Sequence, residues 1–179
     1  MPRLKSGDFS AGQLLALDDP SLVRQCSVDH YRSSGPGGQK RNKTSSAVRL
    51  RHEPTGLSVT AADDRSQNVN LVRAVRRMRE AIALHVRGEM DVAGYHPSEL
   101  LRSCIAADGR IVVGKRDERY FRAVQEVLDV LLAMRGRVSE AAERVGVSTA
   151  HFVKFIQSDA KVWERVNQMR SEAGVKPLR

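Results

Sequence analysis

The stretch Ser34–Gly35–Pro36–Gly37–Gly38–Gln39 sets two adjacent glycines and a side-chain amide behind a proline. A glycine pair lets the main chain take positive φ and approach a partner with no Cβ in the way. Pro36 restricts the residue before it and stiffens the loop. Gln39 brings a neutral amide that both donates and accepts. Such a loop can enter a crowded, phosphate-rich cleft and present a backbone N–H at its tip. Read by itself, a Gly-Gly-Gln is equally a flexible hairpin tip.

The surroundings favour a polyanion. Between His30 and His52 lie Arg32, Lys40, Arg41, Lys43, Arg49 and Arg51, with no acidic residue among them. The whole chain of 179 residues holds 30 Lys+Arg against 21 Asp+Glu, a formal charge of +9. The first 90 residues carry 15 basic and 9 acidic side chains, and the rest 15 and 12. This balance fits a nucleic-acid partner. For any one of these cations a solvated surface role is an equal reading.

Other chemistries find no support. No G-x-x-x-x-G-K-[ST] spacing is present. Cys26 and Cys104, the two cysteines, make neither a disulfide framework nor a zinc site. No metal or cofactor is expected. The start, MPRLKSGDFS, lacks the apolar core of a secretory signal, and no run of 18 apolar residues exists. The expected compartment is the cytoplasm.

The elements that must position the loop follow from patterning. Residues 10–17 read as a short helix stopped by Pro20. Val23–Tyr31 reads as a strand, Arg32–Lys43 as a polar loop, and Ala47–Arg51 as a strand with one wet face. His52–Gly56 is a turn, and Leu57–Ala62 the returning strand of a hairpin. A long helix is predicted from about Asn68 to Val86. Its apolar stripe is Leu71, Val75, Met78, Ile82 and Val86, with Arg73, Arg76, Arg77 and Arg87 near the opposite side. His30 and His52 are expected at the surface or in turns, and Cys26 as a small core residue.

Residues 91–116 read as a linker with a short helix around 98–106. After it, Arg119–Met134 is predicted as a helix ended by Gly136. Val138–Val145, a turn at 146–148 and Thr149–Gln157 read as a helix-turn-helix in which Ser148 caps the second helix. Thr149, His151, Lys154 and Gln157 are expected outward, and Phe152, Phe155 and Ile156 inward. A last helix covers about 160–173, with Trp163, Val166 and Met169 as core. The fold class is therefore α+β: a mixed sheet packed on a long helix in residues 1–90, then a small all-α unit in 117–179.

The run SSGPGGQKRNKTSSAVRLRHEPTGLSV resembles the catalytic (GGQ) domain of class I peptide chain release factors and related stalled-ribosome rescue hydrolases. The matching positions are Ser34–Gln39, Asn42, Lys43, Thr44, Ser46–Arg49, His52, Pro54–Gly56 and Val59. Arg65–Ser66–Gln67 and Asn70 form a second match at the proper distance, and the resemblance covers about residues 22–87. It implies hydrolysis of the ester between nascent peptide and tRNA. Gly37, Gly38 and Gln39 would enter the peptidyl-transferase centre, where ribosomal RNA supplies the rest of the site. Arg32, Lys40, Arg41, Lys43 and Arg49 would contact RNA. Pro36, Asn42, Arg65, Gln67 and Asn70 would support the loop. Lys40–Arg41 stands where the family usually has a histidine and an aliphatic residue.

Codon-reading members are about twice as long and carry a tripeptide, Pro-x-Thr or Ser-Pro-Phe, that occurs nowhere in these residues. The expectation is a codon-independent hydrolase, acting as a monomer on stalled ribosomes, with a glutamine methyltransferase that modifies Gln39 as a further partner. Two alternatives stand beside it: a ribosome- or RNA-binding factor without release activity, and a helix-turn-helix DNA-binding regulator.

Overall fold

A computed structural model of the chain describes residues 10–31 and 46–179. The chain divides into two compact units, residues 1–86 and 87–179.

The first unit begins with two short helices, α1 (Ala11–Ala16) and α2 (Asp19–Arg24). Ser10 and Gln13 form a capping box at α1. Pro20, expected as a stop, instead sits in the first turn of α2, where its missing N–H costs nothing. Asp18 caps that turn by accepting from the Ser21 N–H at 2.8 Å. Val23 and Arg24 are therefore helical, and the strand expected from residue 23 starts at 26.

Strands β1 (Cys26–Tyr31), β2 (Ala47–His52) and β3 (Ser58–Ala61) form a sheet in the order β1-β2-β3. Every pairing among the described residues is antiparallel, which refines the expected mixed sheet. Strands that follow one another without a crossover helix pair this way. Helix α3 (Gln67–His85) crosses one face of the sheet. Val75, Met78 and Ile82 on the helix and Val48, Leu50 and Ala61 on the strands are all buried. The predicted stripe is thus largely the core, though Leu71 is only half-buried.

The second unit holds α4 (Glu99–Ser103), α5 (Tyr120–Ala133), α6 (Val138–Val145), α7 (Thr149–Gln157) and α8 (Ala160–Glu172). Gly146 takes φ +80 at the end of α6, and the Val147 N–H closes on the Ala142 carbonyl at 3.0 Å. Ser148 then caps α7 by accepting from the His151 N–H at 3.1 Å. Phe152, Phe155 and Ile156 are buried, as expected, along with Val166 and Met169, while Trp163 is half-buried. His151, expected outward, is also half-buried, and its Nδ1 has no hydrogen-bond partner among the described residues. At the end of α5, Gly136 has φ +75, and a Cβ there would lie 3.1–3.2 Å from Arg170.

Residues 91–116 do not run as a free linker. Leu101 and Cys104 are buried, Ile105 bridges Ile111, and Glu126 on α5 accepts from Tyr95 Oη at 2.9 Å and Ser98 N at 2.8 Å. Apolar residues scattered among glycines hid this packing from periodicity. Arg87, expected on the exposed side of the long helix, lies past its end and donates to Asp129 at 2.6 Å, with both side chains about nine-tenths buried.

Candidate active site

Arg32, Pro36, Gly37, Gly38, Gln39, Lys40, Arg41, Asn42 and Lys43 lie outside the described residues. Strands β1 and β2 form the frame on either side of this segment. Tyr31, the last residue of β1, pairs in register with Ala47, the first of β2. The chain therefore leaves and re-enters the sheet on adjacent strands, about 5 Å apart.

Asn70 fastens the returning side. It sits in the first turn of α3, fully buried. Its amide donates to the Ser46 carbonyl at 2.7 Å and to the Asp64 carbonyl at 2.8 Å, and its oxygen accepts from the Asp64 N–H at 3.0 Å. A buried amide must find such partners, and here they join the start of β2 to the turn before α3. Asp64 extends the knot: its carboxylate accepts from the Ser66 N–H at 3.1 Å and from Arg73 at 3.3 Å. Ser66 in turn caps α3.

Of the four residues in the second motif, Arg65 and Gln67 are exposed, Ser66 is half-buried and Asn70 is fully buried. Arg49 is exposed on the outer face of β2, with its guanidinium 5.1 Å from the centre of the Tyr31 ring. That stack touches the departing side of the frame.

Sequence reasoning misplaced His52. It is wholly buried rather than at the surface. Its Nδ1 meets Thr55 Oγ1 at 2.8 Å and its Nε2 meets Gln25 Oε1 at 3.0 Å, tying the β2–β3 turn to the end of α2. Burial holds the imidazole below its ordinary value. The signal was present: Val48, Leu50 and His52 alternate, which puts the histidine on the inner face. Cys26 is half-buried and donates to the Leu22 carbonyl at 3.3 Å, and burial pushes its thiol up to about 11, so it stays protonated. Among the described residues no group of His, Cys, Asp or Glu is placed to hold a metal ion, and no helix is long and apolar enough to cross a membrane.

Residues 23–96 match the family model described as RF-1 domain. The region of this chain that includes the Gly-Gly-Gln motif and the Asn70 knot therefore belongs to the class I release-factor catalytic domain family.

Similar curated proteins are peptide chain release factors. Peptide chain release factor 1 of Desulfatibacillum aliphaticivorans is 33% identical over 144 residues, covering 75% of this chain and 37% of the relative. Peptide chain release factor 2 of Sulfurovum sp. is 32% identical over 130 residues, covering 69% and 34%. Peptide chain release factor 2 of Mycolicibacterium vanbaalenii is 53% identical over 68 residues, covering 36% and 18%. This chain thus spans well under half the length of the curated relatives it matches. In the RF-1 domain the three strands and α3 form the scaffold, and Asn70 connects the two.

Proposed function

We propose that this chain hydrolyses the peptidyl-tRNA ester in the peptidyl-transferase centre of the ribosome, without reading a codon. Gly37 and Gly38 let the main chain pass into the centre, and the Gln39 N–H stabilises the charge developing at the reacting carbonyl. The Gln39 side chain admits water and excludes bulkier nucleophiles. Ribosomal RNA and water carry the proton. Arg32, Lys40, Arg41, Lys43 and Arg49 bind RNA phosphates, and Pro36, Asn42, Arg65, Gln67 and Asn70 support the loop. Residues 1–90 are the hydrolase domain of this reading, and the helical unit anchors the factor on the ribosome. The chain works as a cytoplasmic monomer, with Gln39 as the acceptor for a glutamine methyltransferase.

The observation that carries the reading is the Asn70 knot. In a domain of this family, a buried amide holds the carbonyl of Ser46, directly beside the segment bearing Gly-Gly-Gln. Residues 87–179 form a compact helical unit, which this reading takes as a ribosome anchor rather than a codon reader.

The test is release of labelled peptide from ribosomes whose mRNA offers a stop codon, a sense codon or no codon in the decoding site. Comparable release from all three is expected. Release confined to stop codons would overturn codon independence, and ribosome binding without release from any of them would overturn the hydrolase.

A further inference from the structure

In the helical unit, Arg170 on α8 ties two separate segments together. Its Nη1 donates to the Gly136 carbonyl in the turn between α5 and α6. Its Nε and Nη2 donate to the Lys176 carbonyl at 3.0 and 2.7 Å. The Asn167 amide oxygen accepts from the Leu178 N–H at 2.7 Å, so residues 174–178 run back along α8. Both segments are cationic. Arg135 and Arg137 flank Gly136, Lys176 and Arg179 lie in the returning segment, and all four are exposed. Residues 133–139 and 173–179 contain no acidic side chain. Arg135, Lys176 and Arg179 pair with no carboxylate among the described residues. Arg137 shares an exposed ion pair with Glu140, weak enough to exchange for another anion. Glu172, at the end of α8, is turned to Arg165, 3.7 Å away.

Arg135 also stands at φ +51, alone among the described non-glycine residues in taking positive φ. Glycine adopts that conformation freely, and an arginine does so at a cost. The turn by itself would favour glycine at position 135, so the guanidinium serves something other than the turn. Four exposed cations on two acid-free segments suit a polyanion. Neither segment holds an aromatic side chain, the usual anchor of a protein interface.

We propose that Arg135, Arg137, Lys176 and Arg179 form one contact surface for the phosphodiester backbone of ribosomal RNA. Arg170 holds its two halves together from beneath. The inference rests on the proposed function in one respect, that the helical unit is the part that anchors the factor on the ribosome. It names the residues of that unit which make the contact, and the chemical group they meet.

The experiment measures binding of the full chain to vacant ribosomes across a salt series, with ribosomal RNA freed of its proteins as the second probe. Arg135→Gly is the most telling variant, because glycine suits the positive φ while the cation is lost. Its melting temperature is expected not to fall, and its slope of log K against log[salt] to drop by about 1. The Arg135→Gly/Lys176→Ala double variant should lower the slope by about 2. A control of equal charge loss, Arg116→Ala/Lys154→Ala, removes two exposed cations elsewhere in the unit and should leave the slope unchanged. Equal drops in the two double variants, or no drop in the first, would overturn the proposal. So would slopes that change on ribosomes and not on the bare RNA, the mark of an acidic protein contact. Peptide release from stalled ribosomes is read in parallel. Lowered slopes with no release by wild type sink the hydrolase alone, and release with unmoved slopes sinks this surface alone.

Discussion

Strand β2 and helix α3 both carry arginines, and the fold treats them in opposite ways. On the outer face of β2, Arg49 and Arg51 stand exposed with no carboxylate paired to them among the described residues. On α3, Arg73 reaches Asp64 at 3.3 Å and Arg77 reaches Asp63 at 2.7 Å and the Thr60 carbonyl. Arg79 donates to Asp19 at 2.7 Å and to the carbonyls of Leu15 and Leu17, closing the end of α1. Arg87 goes furthest, into a nearly buried pair with Asp129. A net charge of +9 therefore says less about binding than it first suggests, because part of it is bound up in the fold.

The contrast is sharpest at its extremes. Arg87→Met should cost about 3–5 kcal/mol, the usual penalty for stranding one member of a buried pair. Asp129, which burial already pushes up to about 6, loses its counter-charge in that variant. Urea unfolding followed by a probe in the second unit checks this, and a cost below about 1 kcal/mol would show that the pair is not holding α5. Arg79→Met should cost about 1.5–3 kcal/mol, because it removes charge-assisted bonds to two carbonyls and an aspartate. A melt of the first unit reads it.

The inner face of β2 offers a pH test. The His52 ring is held below its ordinary value of 6.5 by burial. A depressed histidine contributes stability above pH 6.5 and loses it as pH falls through the lowered folded value. Wild type should therefore weaken between pH 7.5 and 5.5 more steeply than His52→Gln, measured by the urea midpoint at each pH. Parallel pH profiles would remove His52 from the network. At the other end of the scale, Arg51→Ala should change folding stability by less than about 0.5 kcal/mol. A larger loss would mean the outer arginines are structural, and the contrast with α3 would collapse.

How much of this was legible in the sequence depends on the range of the forces involved. The hairpin and α3 could be read because alternation and helical spacing are local, and each reports a face directly. Pro20 misled because one residue type serves both to end a helix and to begin one, and only the Asp18 cap tells which. His52 and Arg87 were misplaced because burial of a polar residue depends on partners far along the chain, Gln25 for one and Asp129 for the other. Asn70 was singled out by its motif, but its hold on Ser46 spans 24 positions and appears only in three dimensions. The packing of residues 91–116 was hidden for the same reason, since Tyr95 and Ser98 find Glu126 across a turn of chain that shows no periodicity.

The central claim is that bare main chain at Gly37–Gly38–Gln39 completes a hydrolytic site made otherwise of RNA. Single-turnover release of peptide from stalled ribosomes, by wild type and by Gly38→Ala at matched ribosome occupancy, tests it most directly. The account predicts that wild type frees the peptide, while a Cβ at position 38 slows release by about 10²-fold or more with binding intact. Equal release by the two proteins would contradict it.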